Sequence, residues 1–438
     1  MSLNSNKRGL SRRSLVGGLA AASVVTSVGI RKASAQSGGS TEVSFNGSLD
    51  PNNVNDPRAA AQNRMIEAFE RANPSIKIRV IVDPTGANGV RAARARSTSP
   101  DVVRVANFQQ PEWSGTGSIL PLDELVARDG INVNDWLIPL EQTKVNGRLW
   151  GLQQDYRIPI LVYRKSRFDE AQVSTPLRTY DEVAALGAKL TKGTNIAYAV
   201  PIGTTGGIGG AQAFNEFITS SILAGNTGAL FAPDGRKIEF ADERLLLAAE
   251  TVRGLFAKKA STPVTLQYGY NELQDAIRSG TVASATYGLY RFRTMQRSIA
   301  DNDLAWAAAP GIGPNDKQTV YGFQLSINAN SPRKDAAWEF VKFMTSPEAQ
   351  VIAASGGEVV ARTSVYNDPS LLSPEAADLQ GWKRLVQERG RLVTYSVIQS
   401  TFNQIVGEAF QRMILRDAPP ESVVAEVKSR YEEALAKA

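Results

Sequence analysis

The chain contains no cysteine and no histidine. Without cysteine there can be no disulfide, thiol nucleophile, thiolate metal site or lipid-bearing N-terminal Cys, so the mature form is expected to be free rather than lipid-anchored. Without histidine, Ser-His-Asp and Cys-His catalysis, His-ligated zinc and the usual base near neutral pH are excluded. Two-carboxylate chemistry of the glycosidase kind stays open, because Asp and Glu together number 43. Long apolar runs are also scarce. The one that stands out, from Leu15 to Ile30, is too short and too rich in Gly, Ala and Ser for a membrane span, which needs roughly 20 apolar residues.

That run belongs to an export signal. Lys7 and Arg8 form its basic start, Ser11-Arg12-Arg13-Ser14-Leu15-Val16 supplies paired arginines, and Ala33-Ser34-Ala35 closes it with a small-x-small cleavage pattern. We expect a twin-arginine signal over 1–35, a mature chain from Gln36 and a periplasmic location. The signal also accounts for the net charge. Of 49 Lys+Arg, it holds Lys7, Arg8, Arg12, Arg13, Arg31 and Lys32 with no acidic residue, which leaves 43 basic against 43 acidic. A balanced chain gives no electrostatic reason to expect nucleic acid or an anionic membrane as partner.

The mature part, 42% apolar over the whole chain, is long enough for two or three domains, and no low-complexity linker or internal repeat divides it. Val43 and Phe45 begin a strand that runs into a polar loop. Asp56-Pro57 is a helix start, and Met65, Ile66, Phe69 and Ala72 share a face up to the stop at Asn73-Pro74. Ile76, Ile78, Val80 and Val82 alternate with period two, and Val102–Ala106 is a short run typical of a buried parallel strand. Further on, strands are expected at 152–155, 158–163 and 281–287. Helices are expected from Thr179 to Leu190, over 244–258, over 272–279 capped by Asn271, over 335–344, and after Ser346-Pro347. This alternation argues for an α/β layer fold.

Five blocks then resemble the extracellular solute-binding proteins of ABC importers, in the large carbohydrate-binding family. They are Met65–Ile78 around Ala72-Asn73-Pro74; Pro100–Val105 with Gly117–Asp123; Asn146–Leu152 with Ile160–Phe168; Ala276–Ala283; and Ala337–Gln350. The resemblance implies a two-lobed periplasmic binding protein fold of type II-like character, its lobes discontinuous and joined by short hinge crossings. Carried over, one lobe holds 40–155 and 311–365, and the other holds 160–305 and 366–438. It implies a sugar or oligosaccharide in the interlobe cleft, delivery to the transmembrane subunits of an ABC permease, a monomer, no cofactor and no catalysis. A polyol, a glycerol-phosphate-like compound or an acidic sugar is the alternative ligand, and an exported two-carboxylate enzyme is the alternative class.

Loops at strand ends facing the cleft should carry the contacts, with aromatic faces on sugar C–H patches and planar polar groups on hydroxyls. The candidates are Asn46, Asn107, Phe108, Asp155, Tyr156, Tyr287, Tyr290, Gly322, Phe323, Glu358 and Arg362. Where relatives show Gly-Ser-Trp, this chain has Tyr287-Gly288-Leu289-Tyr290, which leaves the stacking ring open between Tyr287 and Tyr290. Arg291, Arg293 and Arg297 read as a solvated helix face. Gly203–Gly210 lacks the ending of a phosphate loop and reads as a cleft-rim loop; Asp50–Asp56 lacks calcium-loop spacing, so no metal is expected.

Overall fold

Strand and helix signals lead to two mixed sheets with helices on their faces. The computed structural model describes residues 40–47, 49–53, 55–82, 100–203, 210–226, 228–373 and 376–438. The export signal and most of the Gly-rich stretch at 203–210 lie outside them. In chain order the strands are β1 (Thr41–Gly47), β2 (Ile76–Val82), β3 (Val102–Ala106), β4 (Leu152–Arg157), β5 (Pro159–Tyr163) and β6 (Ile196–Ala199). They continue with β7 (Val282–Gly288), β8 (Ala305–Ala308), β9 (Gln318–Thr319), β10 (Tyr321–Ile327) and β11 (Gly390–Arg391).

The first sheet has the order β2-β1-β3-β10-β4 and the second β6-β7-β5-β8, while β9 and β11 form a short pair of their own. In the first sheet β1 runs parallel to β2 and β3, and β10 returns from far along the chain to lie antiparallel between β3 and β4. The chain leaves β4 and enters β5 through Ile158 alone, a fully buried residue. A connection this short forces the β4 end of one sheet against the β5 start of the other, and that junction positions the site.

Local chemistry explains the elements. Asp56 caps helix Pro57–Ala72 by accepting from Arg58 N, and Asn73 closes it. The helix buries Met65 and Phe69 on one side. Phe69 and Phe45 of β1 both meet the Phe340 ring edge-on, at 5.1 and 5.2 Å, which ties β1 to helix Lys334–Met344. Each buried Phe contributes about 1.5–3 kcal/mol of burial energy. In the part of the chain carrying the second sheet, helix Gln399–Leu415 packs on other segments, Phe410 meeting Phe214 of helix Gly210–Phe214 and Phe402 meeting Phe231, each at 5.0 Å.

Several expectations shift in detail. The segment after Thr179 forms two short helices, Tyr180–Ala185 and Gly187–Leu190, rather than one. Gly187 lies so close to the backbone of Lys258 and Ala260 that a Cβ would meet Lys258 O at 2.0 Å, which explains a glycine at the break. Asn271 is not a cap: helix Tyr270–Arg278 starts two residues earlier than expected, and Glu272 reaches back to accept from Gly269 N at 3.1 Å. Tyr321-Gly322-Phe323 opens strand β10.

Candidate functional site

The carboxyl ends of β1, β3 and β4 and the start of β10 converge beside Ile158. In open α/β sheets such ends are where ligands bind. Register brings them together: Phe323 pairs with Ala106 on one side and Asp155 on the other, and Tyr321 pairs with Arg157. Six ionised side chains from four segments meet here in alternating sign. Arg104 binds Asp155 at 2.5 Å, Asp155 binds Arg157 at 3.2 Å, and Arg157 reaches Glu358 at 3.4 Å. Glu358 faces Arg58 at 3.8 Å, and Arg58 binds Asp56 at 2.6 Å. Three cations and three anions balance.

Arg58, Asp155, Arg157 and Glu358 are buried and Asp56 and Arg104 half-buried, so pairing offsets the cost of taking these charges from water; an unpaired buried ion costs several kcal/mol. Burial alone would raise the Asp56 carboxyl, yet the hydrogen bonds and charge of Arg58 outweigh it and hold it below the usual range. Burial pushes the Arg104 guanidinium down against the pull of Asp155. Asp155 also accepts from Phe323 N at 3.1 Å. The Phe323 ring meets two guanidinium groups, Arg104 at 3.8 Å and Arg157 at 4.8 Å from its centre. Beside this cluster, Arg58, Gln62, Arg104, Asp155 and Glu358 line a cavity of about 30 Å³. That is room for a water or two, and a sugar ring would require the walls to part.

The structure gathers some of the expected residues and scatters others. Asp155, Phe323 and Glu358 join the charge cluster. Asn107 exchanges paired hydrogen bonds with Gln153 at 3.2 Å in the turn after β3, and Phe108 is buried edge-on to Tyr395 at 6.3 Å. Asn46 is buried near the end of β1, in register with Val103. Gly322 serves close packing: a Cβ there would stand 2.1 Å from Asp155 O.

Other candidates have inward roles. Tyr156 is fully buried, donates to Ile138 O at 2.8 Å, and its phenol is pushed far up by burial. Tyr287 is likewise buried, donates to Tyr270 O at 3.0 Å and packs on Phe217. Arg362 lies over the Trp136 ring at 3.6 Å and donates to Thr345 O. The Tyr290 side chain lies outside the described residues. Arg291 and Arg293 are half-buried rather than solvated, Arg293 standing near Gly357 and Trp382, while Arg297 is exposed.

Sequence reasoning missed Arg58, Arg104, Glu216 and Tyr395. Arg104 carried one signal, a lone charge inside an apolar strand run. Glu216, of the helical stretch after Gly210, is buried, and burial pushes its carboxyl up to about 7 against the opposing effects of Gln212 and Arg157. Among the described residues, no group of three or more metal-ligating side chains is placed to hold an ion.

Residues 53–351 match the bacterial extracellular solute-binding protein family, over more than half of the chain. The chain belongs to that family. A probable amino-acid ABC transporter periplasmic-binding protein of Sinorhizobium fredii is 25% identical over 236 residues, 52% of this chain and 51% of the relative. The chain thus spans about half the length of that curated relative. The maltotriose-binding protein of Pyrococcus abyssi is 22% identical over 384 residues, 85% of this chain and 78% of its own. A solute-binding protein of Thermotoga lettingae solved with alpha-D-tagatose superposes with a TM-score of 0.74 at 19% identity, covering 91% of this chain and 100% of that one. The fold is therefore the two-lobed periplasmic binding protein fold, built on the two sheets above.

Proposed function

We propose that this member of the family is the substrate-binding component of an ABC importer and takes a sugar or oligosaccharide between its two lobes. The observation that carries the reading is the coincidence of the family match with a buried polar and aromatic cluster at the sheet junction. One lobe is 40–155 with 311–365 and the other 160–305 with 366–438, so that ligand touching both draws them together. Export runs by the twin-arginine route, the mature chain is free of lipid and monomeric, and the closed form docks on the permease. A binding role without catalysis is supported by the pairing of Asp56, Asp155 and Glu358 with arginines, since a two-carboxylate mechanism needs two free carboxyl groups flanking the scissile bond.

A thermal-shift screen of the chain from Gln36 tests this, using monosaccharides, oligosaccharides, polyols, uronates and amino acids. A ligand specific for the folded form adds RT ln(1 + [L]/Kd), about 2.7 kcal/mol at a hundredfold excess. A shift with a sugar or polyol is expected. A shift with amino acids alone would overturn the ligand, and release of product from an oligosaccharide would overturn the non-enzymatic reading.

A further inference from the structure

The helical stretch after Gly210 widens from α to π geometry at Asn215–Thr219. Such widening recurs at functional positions because it re-aims a side chain at the expense of regular hydrogen bonding. Glu216 sits within it, 7% exposed, and accepts from Gln212 Nε2 at 2.7 Å. Tyr395, from the segment between β11 and helix Gln399–Leu415, is 6% exposed, and its hydroxyl finds no hydrogen-bond partner among the described residues. Phe217, next to Glu216, meets the Tyr321 ring at the start of β10 at 6.0 Å, which sets this segment at the sheet junction, and burial, then the Glu216 charge, push the Tyr395 phenol up. The Tyr395 ring packs on Ala106 and Phe108, with Phe323 against the same cluster. A buried hydroxyl without a partner is costly, and native proteins keep few of them unless something else supplies the bond.

We propose that Glu216 and Tyr395 are the ligand contacts of the second lobe, and that they take a neutral pair of neighbouring hydroxyls. This rests on the reading of the junction as a ligand cleft. The two carboxylate oxygens accept from hydroxyl protons, and the Tyr395 hydroxyl donates to a hydroxyl oxygen. The class follows from charge. Arg58, Arg104 and Arg157 already face Asp56, Asp155 and Glu358, so an anionic ligand would meet Glu216 with no surplus of cations in this cluster. The groups facing Glu216 are Gln212 on its own helix, Arg157 at the end of β4 and Tyr395. Burial keeps the Tyr395 phenol protonated between pH 6 and 8. Because hydroxyl donation favours the ionised carboxyl, affinity should rise over that interval by up to about tenfold.

Isothermal titration calorimetry of the mature chain, with maltotriose, D-tagatose, ribitol and D-glucuronate at pH 6 and pH 8, tests the assignment. A neutral compound should bind, more tightly at pH 8. Glu216→Ala should weaken it at least tenfold, and Tyr395→Phe severalfold. The isosteric Glu216→Gln, with folding checked by its melting curve, should lose the pH dependence. Unchanged affinity and pH profile in these variants would overturn the assignment and leave the ligand cleft intact. Binding of glucuronate alone would overturn the ligand class. No binding of any of the four by folded wild type would overturn the assignment together with the sugar reading beneath it.

Discussion

At the scale of single residues, buried charge is the governing fact. Arg104 and Arg157 together hold Asp155, and removing one partner leaves a buried anion under-compensated. Arg104→Met should therefore cost about 3 kcal/mol, since breaking a buried pair from one side costs about 3–5 and Arg157 remains. Urea denaturation measures it; a loss under 1 kcal/mol would mean that water reaches Asp155. Glu216 predicts a pH effect of definite sign. Its carboxyl is pushed up to about 7, so the folded chain keeps a proton that the unfolded chain releases near 4.3. The unfolded state then binds fewer protons, and stability falls as pH rises from about 4.5 to about 7, after which the loss is constant. Glu216→Gln removes that loss. Without ligand, the variant should exceed wild type by up to about 3 kcal/mol at pH 8 and match it at pH 4.

At the scale of elements, two glycines separate close packing from mere flexibility. Gly322 opens β10 where the neighbouring strand leaves no room, a Cβ falling 2.1 Å from Asp155 O and 2.6 Å from Gln153 Nε2. Gly322→Ala must push β10 from β4 and should destabilise by at least about 3 kcal/mol, the upper range for overpacking. Gly254, in helix Asp242–Ala257, has nothing within 4 Å of a built Cβ. Gly254→Ala should stabilise by about 0.4–1 kcal/mol, because alanine narrows the unfolded ensemble and favours helix. The same substitution thus takes opposite signs at two positions, readable from one pair of urea melts.

At the scale of the whole molecule, the short β4–β5 connection and the return through β10 make the sheet junction a hinge candidate. If the lobes close on ligand, small-angle scattering should show the radius of gyration decreasing on addition of whichever sugar shifts the melting curve. An unchanged radius would mean that ligand enters a preformed cleft. The export reading has its own test in the precursor. Arg12→Lys with Arg13→Lys should leave the protein in the cytoplasm of a host with twin-arginine transport, and unchanged export would assign another route.

What the amino-acid order determined by itself was periodic or local. Strand alternation in 76–82, the Asp56-Pro57 helix start, the Thr179 and Ser346 caps and the family blocks all act over a few residues, and the elements formed where those signals stood. Asp155 and Glu358 were visible as polar groups at element ends. Their partners were not, because Arg104, Arg157 and Arg58 reach them only once β10 lies between β3 and β4 and helix Pro57–Ala72 packs beside the loop at 358. The inward turn of Tyr156 and Tyr287 was hidden for the same reason. A hydroxyl-bearing ring suits a wet cleft and a core equally well, and only a carbonyl from a distant segment, Ile138 O or Tyr270 O, makes it a core residue. Periodicity states which face of an element is buried; strand register and helix docking decide what it is buried against.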